Sequence, residues 1–139
     1  MNKKVGILLV EDDEVDIMNV QRAFKKNSFP YPLYVANNGL EALAMLRSEG
    51  KTQLNPTPKI ILLDINMPKM GGIEFLRELR SDPDLRSISV FVLTTSNDDC
   101  DRIAAYDLNV AGYILKPVSY ESFSQAVATL GAYWDLCQI

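Results

Sequence analysis

In Ile60-Ile61-Leu62-Leu63-Asp64-Ile65-Asn66-Met67-Pro68 an unbroken apolar run, Ile60 to Leu63, stops on a carboxylate, and a proline follows four residues later. Short continuous apolar runs of this kind mark strands buried on both faces. The chain carries four more, at 5–10, 33–36, 90–93 and 111–115, most of them rich in β-branched residues. Between the runs, apolar residues recur at helical spacing: Ile17, Val20 and Phe24; Leu40, Leu43, Ala44 and Leu46; Ile73, Leu76 and Leu79; Ile103, Ala104 and Tyr106; Phe123, Val127, Leu130 and Trp134. Strand and helix thus alternate five times, which predicts an α/β fold: a parallel sheet covered on both faces, with right-handed crossovers. Asn97, ahead of Asp98, Asp99 and Asp101, can cap one helix and Ser119 another, while 50–59 and Asp82-Pro83 read as loops.

Composition narrows the classes of function. At 139 residues the chain can bury about 70% of its unfolded surface in one core, and no repeat or linker divides it, so 1–139 is expected to be one domain without a separate output domain. With 18 acidic and 14 basic residues the net charge is −4, and no basic run exceeds two residues, which argues against direct nucleic-acid binding. No apolar stretch is long enough to span a bilayer or serve as a signal peptide, and Cys100 and Cys137 read as reduced thiols, so a cytoplasmic protein away from membranes is expected. There is no histidine, which removes His-based triads and metal sites and any phosphohistidine role for this chain.

The chemistry gathers at the strand ends. Ligands of open parallel sheets bind beyond the carboxyl ends of the strands. Those ends carry Glu11 and Asp12, then Asp64, Thr94 and Lys116. Three carboxylates on one rim cannot all stay ionised without counter-charge. Lys116 supplies one positive unit, and a hard divalent cation would supply more. Mg²⁺ fits best, because it takes few protein carboxylates and completes its shell with waters and phosphate oxygens. Asp13, Glu14 and Asp16 read instead as helix-start charges, and Met18, Met45, Met67 and Met70 as gap-filling core or loop residues.

The run from Leu62 to Pro68 with Gly71-Gly72, preceded by Val10-Glu11-Asp12-Asp13 and followed by Thr94-Thr95 and Lys116-Pro117, resembles the CheY-like receiver domains of bacterial response regulators along essentially the whole chain. Within that family it is most similar to single-domain regulators that partner bacteriophytochrome-type kinases, through the loop at 50–59 and Leu93-Thr94-Thr95-Ser96. The resemblance implies a flavodoxin-like (βα)5 doubly wound sheet of strand order 2-1-3-4-5. It implies a two-component signalling role in which Asp64 accepts a phosphoryl group from a sensor histidine kinase, with Mg²⁺, or Mn²⁺ in its place, held by Asp12, Asp64, the Asn66 backbone carbonyl and, through water, Glu11. Lys116, the Thr94 hydroxyl and the Thr95 backbone N–H would bind the phosphoryl oxygens. Thr94 and Tyr113 would form the switch, and a cis peptide between Lys116 and Pro117 would orient the lysine. Asn66 and Ser96 would tune hydrolysis of the acyl phosphate. Thr95 departs from the alanine or glycine common there, and its bulk would slow small phosphodonors. The signal would leave through the face of the fourth helix, fifth strand and fifth helix, by a homodimer or an unidentified downstream protein.

Three rivals remain. A dehalogenase-type phosphatase also phosphorylates an aspartate with Mg²⁺, but it needs a second acid two residues on, where this chain has Asn66. A flavodoxin-like FMN binder would want a Ser/Thr/Gly-rich first loop, where this chain is acidic. A pseudo-receiver that only binds partners would not need the acceptor, metal and lysine set.

Overall fold

The structure, a computed structural model, describes residues 6–27, 32–47, 58–67, 69–94, 103, 107–115, 121, 124–125 and 128. Strands β1 (Gly6–Val10), β2 (Leu33–Ala36), β3 (Pro58–Asp64), β4 (Ser89–Thr94) and β5 (Gly112–Leu115) form one sheet, parallel throughout, in the order β2-β1-β3-β4-β5. This is the expected order. Helices α1 (Glu14–Lys26), α2 (Gly39–Leu46) and α3 (Gly72–Ser81) connect the first four strands, and the backbone is also helical at Ile103, Glu121, Ser124, Gln125 and Ala128. Because the chain leaves β1 toward β2 on one side and returns to β3 on the other, the switch point lies between the carboxyl ends of β1 and β3.

Side chains alternate along the strands, so each central strand feeds two cores. Leu8, Val10, Ile61, Leu63, Val90 and Val92 pack with Ala42, Leu43, Phe75, Leu76 and Leu79 of α2 and α3. On the other face, Ile7, Leu9, Ile60, Leu62 and Leu93 pack with Val20, Ala23 and Phe24 of α1. All five residues of β1 are buried, which is why its sequence is a continuous apolar run rather than an alternating one.

The helices end where local chemistry tells them to. Asp13 and Asn38 cap α1 and α2 by accepting backbone amides, and Lys25 and Lys26 lie in the last turn of α1, at the negative end of its dipole. The Asn27 side-chain amide donates to Ala23 O at 2.8 Å and to the Ser124 hydroxyl at 2.9 Å, joining the end of α1 to the last helical segment.

Pro58 and Lys59, read as the end of a loop, instead open β3, where Pro58 sits at the first strand position opposite Gly6. Two helical side chains also depart from expectation. Leu40, placed on the buried stripe of α2, is 53% exposed, because the buried face starts one residue earlier, at Gly39, and continues through Ala42, Leu43 and Leu46. Met18, expected as core or loop filler, lies within α1 and is 58% exposed, one position off the stripe formed by Ile17, Val20 and Phe24. Asn97 and Ser119 lie outside the described residues.

Candidate functional site

The site is built where β1, β3 and β4 run out together. The Glu11 amide still donates to Ala36 O at 2.9 Å, so Glu11 closes the ladder to β2, and its side chain is fully buried. Its Oε1 accepts the amides of Asp12 and Asp13, each at 3.1 Å, which draws the chain into a tight turn around the carboxylate. Asp13 Oδ1 then accepts the amides of Val15 and Asp16, at 2.8 and 3.1 Å, and α1 begins. Between these two anchored acids Asp12 is exposed.

Asp64 ends β3 opposite Leu93 and is only 3% exposed. Its Oδ1 accepts the Asn66 amide at 3.2 Å, while the Ile65 amide donates to Leu93 O at 3.3 Å. These contacts set both the rotation of the carboxylate and the direction in which the following loop departs. Thr94 ends β4 opposite Leu115 and is fully buried.

Carboxylate oxygens of Glu11, Asp12 and Asp64 lie within 4.8 Å of one another. At that range two like charges repel by on the order of 3 kcal/mol at an effective dielectric of about 20, and by less for the exposed Asp12. A cation among them turns that cost into attraction. The donors are all hard oxygens, two buried and one open to water, which suits a divalent ion that keeps part of its hydration shell. Glu11, Asp12 and Asp64 would hold such an ion.

The structure thus brings together the three acids that the strand ends suggested, and ends the neighbouring strand on Thr94. Asn66, two residues beyond Asp64, is exposed. Tyr113, opposite Val92 on β5, is 41% exposed and therefore does not fill the core. Lys116, Pro117, Thr95 and Ser96 lie outside the described residues. Two contributors were not legible as such. Asp13 reads as a helix-start charge, but its carboxylate is the cap itself, and Asp-x-x-Asp ahead of an apolar run was the available signal. Gly72 is visible only as part of a glycine pair, and its role is steric.

Residues 7–128 match the family model of the response regulator receiver domain. Response regulator Rcp1 from Synechocystis sp. is 39% identical over 128 residues, covering 92% of this chain and 87% of that protein. The crystal structure of the phosphorylated cyanobacterial phytochrome response regulator RcpA superposes with a TM-score of 0.81 at 39% identity, covering 95% of this chain and 94% of that one. The Mn²⁺-bound form of response regulator Rcp1 superposes with a TM-score of 0.78 at 38% identity, covering 94% of each chain.

Proposed function

Because this chain belongs to the response regulator receiver domain family, we propose that Asp64 is its phosphoacceptor and that a Mg²⁺-dependent transfer onto it is the signal the protein carries. The observation that supports this most is the buried Asp64 carboxylate at the switch point, within 4.8 Å of the Glu11 and Asp12 carboxylates. Response regulators are signalling proteins rather than conventional enzymes, so the chemistry asked of the site is one transfer and a slow reversal.

In that transfer an Asp64 oxygen attacks the phosphorus of a phosphohistidine. The P–N bond breaks, an O–P bond forms, and the imidazole leaves and takes up a proton. The Asn66 amide on Asp64 Oδ1 holds the carboxylate in one rotation, so the attacking geometry is arranged before the donor arrives. When bound, the divalent ion offsets charge on the phosphoryl oxygens. Thr94, Lys116 and the Thr95 N–H are assigned to the phosphoryl oxygens by family resemblance. Asn66 and Ser96 are assigned to the hydrolytic water on the same ground, with Pro117 holding Lys116 by a cis peptide. Water attack on the acyl phosphate returns inorganic phosphate and resets the site.

The relatives support a reading of the partner kinase. RcpA is described as a phytochrome response regulator, and we assign this chain a sensor histidine kinase of the phytochrome class, acting in the cytoplasm. No helix among the described residues is long and apolar enough to cross a membrane. Tyr113, exposed on the edge strand β5, would turn toward Thr94 when the phosphoryl group is in place and so reshape the face built on β5 and its flanking helices.

Intact-mass measurement after incubation with Mg²⁺ and acetyl phosphate, or with a phytochrome-class kinase, tests the assignment. One phosphoryl group is expected on the wild type and none on Asp64→Asn. Equal labelling of the two, or no labelling of the wild type by either donor, would remove Asp64 from this role.

A further inference from the structure

The loop that carries Asp64 and Asn66 is closed from its far end by Gly72. Gly72 opens α3, is buried, and donates its amide to Ile65 O at 2.9 Å. A Cβ placed there would lie 2.6 Å from the Asp64 carbonyl oxygen, 2.7 Å from Ile65 Cα and 2.9 Å from Ile65 Cδ1. The first residue of the helix therefore touches the backbone of the acceptor itself, closer than any side chain could allow. Its neighbour Gly71 is different: the closest atom to a Cβ there is Ile65 O at 3.7 Å, an ordinary contact.

Neither side of the Gly72 contact can yield freely. The Asp64–Ile65 peptide is tied to β4 through the Ile65 amide and Leu93 O. Helix α3 is seated by Phe75, Leu76 and Leu79, all fully buried. Asn66 directly follows the backbone on which Gly72 rests. A side chain at 72 that pushed on Ile65 would move the Asn66 amide, which donates to Asp64 Oδ1 at 3.2 Å, and the Asn66 carbonyl with it.

We infer that Gly72 is a positioning residue for the acceptor site: by lacking a side chain it lets α3 seat on the Asp64 backbone and so holds the Asp64 carboxylate and the Asn66 carbonyl in metal-binding geometry. The inference rests on the reading of Asp64 and its metal given above. Gly39 supplies the comparison. A Cβ at Gly39 would meet Met70 Cγ at 2.8 Å, with Met70 Cβ and Met70 O both at 3.0 Å. The injury is similar in size, but it falls mainly on a flexible methionine side chain rather than on the acceptor's own backbone.

Mn²⁺ binding, followed by the electron paramagnetic resonance signal of the free ion, separates the two. Displaced supporting contacts weaken metal sites by roughly 10- to 100-fold. Gly72→Ala should therefore raise the Mn²⁺ Kd at least about tenfold, while Gly39→Ala and Gly71→Ala stay within about twofold of wild type. Should Gly72→Ala fold poorly, Ile65→Val combined with it removes the Cδ1 contact and leaves the two backbone contacts that matter. That double variant should show the same loss against an Ile65→Val control. A folded Gly72→Ala protein with wild-type Kd overturns the inference. So does a chain that folds in neither form even with a stabilising osmolyte, since Gly72 would then serve the fold as a whole. A wild-type protein that binds no Mn²⁺ overturns instead the metal reading on which this rests.

Discussion

Asp13 shows how much one side chain beside the site can carry. Its carboxylate accepts the Val15 and Asp16 amides, two of the donors that an α-helix leaves without partners at its start. Its own amide is one of the two that hold Glu11 Oε1. Asp13→Ala removes the cap but keeps the amide, so the expected result is a loss of about 1 kcal/mol in urea unfolding, most of it recovered by Asp13→Asn. The acid was readable in the sequence because Glu14 and Asp16 repeat its charge. Its special place among them was not, because capping depends on the extended backbone at that one residue, φ −82° and ψ 116°. Leu40 and Met18 make the opposite point: apolar identity promised burial, and a helical phase one residue different placed both in water.

At the scale of elements, the carboxyl end of α3 is the busiest junction in the described chain. Arg80 spends its guanidinium on backbone oxygens: Leu108 O from Nε at 2.8 Å, Arg86 O and Ile88 O from Nη1 at 2.8 Å each, and Asn109 O from Nη2 at 2.9 Å. Burial pushes its pKa below the ordinary arginine value, yet it stays cationic at neutral pH. One side chain thus binds the loop entering β4 to the loop entering β5. Arg80→Gln should cost about 2 kcal/mol of stability, with partial recovery in Arg80→Lys, read by urea unfolding. Nearby, Arg47 Nε donates to Asp82 Oδ2 at 3.1 Å and joins the end of α2 to the end of α3. The Asp84 amide, and after it Arg47, holds the Asp82 carboxyl below its ordinary pKa. A depressed carboxyl pKa contributes stability that is present above the unfolded value, near 4, and is lost as pH falls through the lower folded value. Asp82→Asn should therefore flatten the acid limb of stability below about pH 4 and leave the urea midpoint at neutral pH less sensitive to added salt.

For the whole molecule, the two cores have different parts. The core with α2 and α3 takes in Ile65 and Met70 of the acceptor loop, and the core with α1 seats the helix that follows Glu11 and Asp12. Both converge on the same rim, with Asp64 at the end of the central strand and β5 at the sheet's edge, so under the proposed phosphorylation the switch would be read at β5. The homodimer that the resemblance implies would bring a second copy to this side of the sheet, and its test is direct. Beryllofluoride with Mg²⁺, as a phosphoryl mimic, is expected to raise the mass seen by light scattering toward a dimer for wild type and to leave Asp64→Asn unchanged. An unchanged wild-type mass would move the output of the switch to another surface.

Strand count, the parallel sheet and the acids at the strand ends were legible in the sequence, because burial on both faces leaves a continuous apolar run and the acids stand where those runs stop. The motif Leu62 to Pro68 added the strand order by resemblance, and the structure has that order. Which helical face is inside at Leu40 and Met18 was settled by packing, since phase depends on what lies opposite. The structure also made visible two contacts that no motif announces. It alone showed that Arg80 unites two loops far apart in the chain and that Gly72 rests on the Asp64 backbone. Both contacts end on backbone atoms, which every residue shares, so the sequence has no letter for the partner.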